Sequence, residues 1–326
     1  MAFTTITKSS DYFNTKLYTG NGSAGHSITG IGHQPDLVWI KQRDSRDHFL
    51  FNAVNGATKY VASNTNAALA TDADTLTAFG ADGFTLGSGV GCNENNDTHV
   101  AWNWKEHVNA GFDIVTWTGN GSARTIAHSL NKVPTMIMVK DLSAATDWTI
   151  YHVGVGNTKR LVLNTSNAVE DDASFFNDTT PTNSVFSVGS SSAVNLSGRN
   201  YVGYVFTDIV GFSKMGSYLG NGDSDGIFIP LSFAPSFVMV KRAVGGTGSW
   251  WVRDNKIAPY NVASNVLVAN SSGAQTSGVG IMDILSNGFK LRDATDATNN
   301  SGSTYIYMAF ASAPLVGTNN EPCKAR

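Results

Sequence analysis

The chain has 326 residues, of which 14% are charged, and a formal net charge of −3. So weak and even a charge, with no basic patch, excludes a nucleic-acid partner, and no apolar stretch is long enough to insert in a membrane. Only four glutamates (Glu94, Glu106, Glu170, Glu321) stand against Gly, Ser, Thr and Asn in every segment, which favours strands and turns over helices.

In chain order, Phe13 stands seven residues before the tripeptide Gly20-Asn21-Gly22. The same tripeptide returns as Gly119-Asn120-Gly121, after Phe112, and as Gly220-Asn221-Gly222, after Phe212. Each Asn-Gly pair predicts a tight turn with the second glycine at positive φ, and a hairpin is the expected setting. Fifteen residues after each first glycine stands a proline: Pro35, Pro134 and Pro235. Proline cannot donate to a ladder, so it marks a strand start. Six residues further a lysine closes an apolar run: Leu37 to Lys41, Met136 to Lys140, Phe237 to Lys241. Those runs lack alternation, as expected of strands covered on both faces, and the lysines are expected to lead the chain back to solvent.

Phe49, Trp148 and Trp250 follow the lysines by eight, eight and nine residues and align with one another. Alternating strands come next, around Phe84-Thr85-Leu86, Phe186-Ser187-Val188 and Phe289-Lys290-Leu291. The copies close on Val100-Ala101-Trp102, Val202-Gly203-Tyr204 and Met308-Ala309-Phe310. Two constant spacings kept in three copies establish one unit used three times. The expected fold is all-β: three tandem antiparallel β-sandwich or jelly-roll-like modules of about eight strands each. Their ranges are 12–110, 111–210 and 211–313, with an N-terminal segment 1–11 and a C-terminal tail 314–326. Each is long enough to bury its own core, and the short linkers keep neighbours in contact.

Local motifs carry little chemistry. Gly20 to Gly25 spells G-x-G-x-x-G, but His26-Ser27-Ile28-Thr29 follows rather than a helix, so a dinucleotide site is not expected. Asn221 to Gly226 matches half a calcium loop, with Ser232 where the bidentate Glu belongs. Asp44, Arg46, Asp47 and His48 form a charged loop; lacking a catalytic histidine motif or nucleophile elbow, the chain is read as a non-enzyme without cofactor or metal. Cys92 and Cys323 occupy non-equivalent positions and read as two incidental thiols, with a bridge between the outer modules as the alternative. Side chains alternate along a strand, so of Trp250 and Trp251 one is core. The other lies at a module interface or is exposed to a ligand such as a sugar. The candidate ligand or interface residues are therefore Asp44, Asp47, His48, Asp223, Asp225, Trp250 and Trp251; the charged loop Asp44–His48 and the acidic turn Asp223–Asp225 are each found in one copy only.

Several strings also carry a family resemblance. They are Phe3-Thr4-Thr5-Ile6, Asp11 to Gly22, Gln34 to Lys41, Gly211-Phe212-Ser213-Lys214, Ser286 to Arg292 and Tyr305 to Phe310. Together they make the chain similar to a domain of unknown function recurrent in virion proteins of tailed bacteriophages, especially marine phages and cyanophages. The resemblance implies a virion structural protein of the tail-fibre or surface-appendage kind, in contact with capsid or tail proteins and with further copies of itself. It supplies no active-site residues. The chain has no heptad shaft, collagen-like repeat or large β-helix of the kind common in long fibres, and a compact knob or decoration fits as well as a fibre. The alternatives are a carbohydrate-binding array recognising host polysaccharide, and a polysaccharide depolymerase.

Overall fold

The computed structural model describes residues 4–314. Strands make up 42% of it and helix 5%, and every strand pairing is antiparallel. The first repeat folds as β1 (Phe13–Thr19), β2 (His26–Thr29), β3 (Leu37–Gln42), β4 (His48–Asn52), β5 (Lys59–Val61), β6 (Ala70–Thr71), β7 (Leu76–Gly80), β8 (Gly83–Leu86) and β9 (Thr98–Trp104). The second comprises β10 (Phe112–Thr118), β11 (Arg124–Ala127), β12 (Met136–Asp141), β13 (Thr149–His152), β14 (Lys159–Arg160), β15 (Glu170–Asp171), β16 (Val185–Val188) and β17 (Asn200–Phe206). The third comprises β18 (Ser213–Leu219), β19 (Phe228–Pro230), β20 (Ala234–Val244), β21 (Trp250–Asp254), β22 (Leu267–Val268), β23 (Met282–Leu285), β24 (Gly288–Leu291) and β25 (Thr304–Ala313).

Each repeat stacks two main sheets, and the second adds the separate two-stranded pair β14-β15. In the first, β1-β9-β3-β4-β5-β6 faces β2-β8-β7; in the second, β10-β17-β12-β13 faces β11-β16; in the third, β18-β25-β20-β21-β22 faces β19-β24-β23. No sheet among the described residues draws strands from two repeats. The Pro-to-Lys runs are the central strands β3, β12 and β20, and their two-sided burial explains the missing alternation. Val38 and Ile40 pack into the first sandwich with Phe51, Phe84 and Leu86, and Ile137 and Val139 into the second with Phe186 and Val188.

The opposite faces of these strands meet one another. Leu37, Trp39, Met136, Met138, Phe237 and Met239 belong to a single apolar core shared by all three repeats. Individual module cores are therefore only part of the interior. Trp104, Phe206 and Phe310 occupy equivalent places at the ends of their strands, opposite Leu37, Met136 and Phe237. Their rings form a triangle, with centroids 6.5, 6.0 and 5.7 Å apart.

Two alignments read from the sequence need correction. Lys41, Lys140 and Lys241 do occupy one structural position, facing Val100, Val202 and Ile306. The residue equivalent to Trp102 and Tyr204 is thus Met308, so Ile306-Tyr307-Met308 closes the third copy, two residues before the expected string. A slip of two keeps every side chain on its face, so alternation could not reveal it. The residue equivalent to Trp148 and Trp250 is His48 rather than Phe49: the backbone N–H of each of the three donates to an Asn side chain, Asn64, Asn164 or Asn270, at 2.8–2.9 Å.

Candidate functional site

The repeated tripeptide is held by a buried asparagine that the sequence reading missed. Asn93 Nδ2 donates to Asn21 Oδ1, Ser23 O and Gly87 O, while its Oδ1 accepts the Asn21 N–H and its main-chain carbonyl the Gly22 N–H. Asn195 repeats this around Asn120 and Asn299 around Asn221. All three asparagines are fully buried. Gly22, Gly121 and Gly222 have φ of 64°, 80° and 70°, as the turn requires. A Cβ on Gly20, Gly119 or Gly220 would lie 2.1–2.3 Å from a carbonyl oxygen, which fixes the first glycine too. The turn carries the chain from one sheet to the other, so it is a sheet crossing, not a hairpin. Asn195→Ala would strip four side-chain hydrogen bonds from a closed site, and urea denaturation should show a loss of about 1–3 kcal/mol. Asn195 lies six residues after Gly189, as Asn93 does after Gly87; that spacing is the signal that could have found it.

The repeated lysines are fully buried, contrary to the expected exit to solvent. Lys140 Nζ donates to Asp141 O and Thr146 O of its own hairpin and to Asn66 O of the first repeat. Lys241 Nζ reaches Arg242 O, Gly248 O and, in the second repeat, Ser166 O. Lys41 Nζ reaches Gln42 O, Ser45 O, Arg46 O and, in the third repeat, Ser272 O. At Lys140 and Lys241 three carbonyls match the three N–H bonds of an ammonium, and at Lys41 four carbonyls surround it. Burial nevertheless pulls Lys41 and Lys140 down to about 8 and Lys241 to about 7. The cage is a backbone clasp, and Lys140→Met, which orphans its carbonyls, should lower stability by about 1–3 kcal/mol in the same denaturation assay.

Every junction repeats the same wiring. Trp148 Nε1 donates to Ala62 O at 2.8 Å, Trp250 Nε1 to Val162 O at 2.8 Å, and His48 Nε2 to Val268 O at 3.0 Å. Main-chain bonds run from Leu69 to Leu142, Val169 to Ala243 and Gln275 to Arg43. Four residues on from His48, Trp148 and Trp250, and on the same face, the equivalent residues Asn52, His152 and Asp254 also cross junctions. Asn52 Nδ2 donates to Tyr204 Oη, His152 Nε2 to Tyr307 O, and Asp254 accepts from Thr15 Oγ1 and Trp102 Nε1. The first repeat thus binds the second, the second the third, and the third the first: a closed ring with pseudo-threefold contacts.

Of the expected site residues, His48 is a buried junction residue and Trp250 is both core and junction. Trp251 points the other way and is half-buried. Asp44 is exposed; Asp47 is half-buried and accepts from Asn64 Nδ2 at 2.6 Å, a contact that Asp147 and Asn164 reproduce at 2.8 Å. Asp47 is therefore not peculiar to one copy. Asp223 and Asp225 lie together in successive turns, where Asp223 Oδ1 accepts the Asp225 N–H. Asp225 is also neutralised by Lys290 and Arg292, which hold its carboxyl below its ordinary value, so this loop is no free calcium site. The seven residues do not converge. Cys92 is a buried free thiol whose pKa burial pushes well above its ordinary value, and Cys323 and Phe3 lie outside the described residues.

One open cleft of about 320 Å³ lies on the first repeat alone, between Arg46, Asp47, Phe49, Tyr60, Asp72 and Asp74. Among the described residues there is no group of three His, Cys, Asp or Glu able to hold a metal ion, and no helix is long and apolar enough to cross a membrane. Compared with known families, the chain is matched over residues 8–314 by the family described as Domain of unknown function (DUF7483), and it belongs to that family. No curated protein matches it.

Proposed function

We propose that the chain is a non-enzymatic structural protein of a bacteriophage particle's surface, a compact knob or decoration of capsid or tail. Its partners on this reading are other particle proteins, including further copies of itself. The observation that supports it best is the use of the repeated polar side chains: Lys41, Lys140, Lys241, His48, His152 and Asp254 all serve to close the ring. Polar groups spent on closure produce a rigid body rather than a reaction centre. The strings quoted for the family resemblance add the particle context. Adsorption to a host would fall to loops that differ among the repeats. The test is immunogold labelling of purified particles with an antibody to the folded chain. Gold on intact particles is expected; chain confined to the soluble fraction of infected cells, with unlabelled particles, would contradict the proposal.

A further inference from the structure

We propose that the cleft on the first repeat is a binding site for a neutral saccharide, with Phe49 and Tyr60 as its platform and Asp47, Asp72 and Asp74 as its hydroxyl acceptors. The two rings lie 4.7 Å apart at 55° and both are half-buried, so each keeps an accessible part. The C–H face of a pyranose is electropositive and suits the negative face of an aromatic ring. Hydroxyls donate well to carboxylates, and such bonds are stronger than neutral ones. Asp47 Oδ1 is engaged by Asn64 and Asp72 Oδ1 by the Asp74 N–H, which fixes both side chains while their second oxygens have no hydrogen bond within the described residues. Three carboxylates against one guanidinium, itself paired with Glu94 at 3.1 Å, disfavour acidic sugars.

The other repeats show why the site is single. Thr75 and Phe175 are equivalent, since Gly87 N–H donates to Thr75 O and Gly189 N–H to Phe175 O. In the second repeat Phe175 packs under Arg160, the counterpart of Tyr60, with the guanidinium 3.7 Å from the ring centroid. Thr149 replaces Phe49 there, so the platform is lost and its place is filled. In the third repeat Trp251 stands in for Phe49, but Val266 takes the position of Tyr60.

The inference does not depend on the particle reading, because it concerns the isolated chain. Native affinity electrophoresis through gels containing dextran, galactan or mannan tests it. Wild-type chain should be retarded by at least one of them. Thr75→Phe, which copies the second repeat, and Tyr60→Ala should each weaken that binding at least tenfold, with Asp74→Ala as the variant least able to disturb folding. No retardation by any of the three, retardation only by an acidic polysaccharide such as alginate, or retardation unchanged in Tyr60→Ala and Asp74→Ala would each overturn the proposal. Release of reducing sugar during the run would mean that the cleft cuts as well as binds, contradicting a pure binding site.

Discussion

Trp104→Ala is expected to lower stability by about 3–5 kcal/mol, the range for deleting a large aromatic from a packed interior. Trp104 is almost fully buried and its ring meets Phe13 of its own repeat, Phe206 of the second, and Phe237 and Phe310 of the third. No single repeat can collapse to fill the space, because the walls belong to three separate sandwiches. The variant should therefore also loosen the junctions, seen as faster hydrogen exchange at the Trp148 and Trp250 indole N–H groups. A loss below about 1 kcal/mol in urea denaturation would show that the aromatic triangle is not where the repeats are joined.

Acid should open the ring over a defined window. His48 Nδ1 accepts the Trp39 indole N–H at 2.8 Å while its Nε2–H donates to Val268 O. His152 Nδ1 accepts the Gly154 N–H at 3.0 Å while its Nε2–H donates to Tyr307 O at 3.1 Å. In both, a second proton would point at an N–H donor, so the neutral ring is the one that fits. Burial, with Lys41 adding to it at His48, lowers their pKa values to about 3 and about 4. Folded values below the ordinary 6.5 mean that the unfolded chain takes up protons first. The stability is complete above pH 6.5 and is lost as pH falls from there towards 4 and 3. Two histidines give a slope of up to about 2.7 kcal/mol per pH unit. His33, His99 and His128 are also lowered by burial and act in the same direction. Buried carboxyls at Asp208 and Asp254, raised by desolvation, oppose the trend, and so does Glu106, which burial and its neighbour Asp113 raise to about 7; its single proton offsets part of the histidine slope between pH 7 and 5. Urea midpoints between pH 7.5 and 5 should fall steeply, and His152→Gln should flatten the fall. A flat profile would contradict the assignment.

Much of the architecture was legible because the head of the repeat is rigid. The turn glycines need positive φ or tolerate no Cβ, and the central strands need apolar residues on both faces. What escaped depends on distant partners. A lysine after an apolar run looks like an exit to solvent; its cage comes partly from a loop of another repeat, as Asn66 does for Lys140. Phe49 looked like the match to Trp148 because both are aromatic, yet the junction requires an N–H donor, which His48 has and Phe49 lacks. The cleft was only half visible. Asp47 lies on the loop singled out for its charge, whereas Tyr60, Asp72 and Asp74 are brought to it by the turn back from β5 to β7.

The closed ring is the central claim, and scanning calorimetry tests it most directly. Independent sandwiches of about 100 residues would each melt as a unit, as small domains do. A ring sharing one core and three interlocked junctions should melt as a whole, with a calorimetric enthalpy close to the van't Hoff enthalpy. A calorimetric enthalpy about three times larger, or three separable transitions, would contradict it.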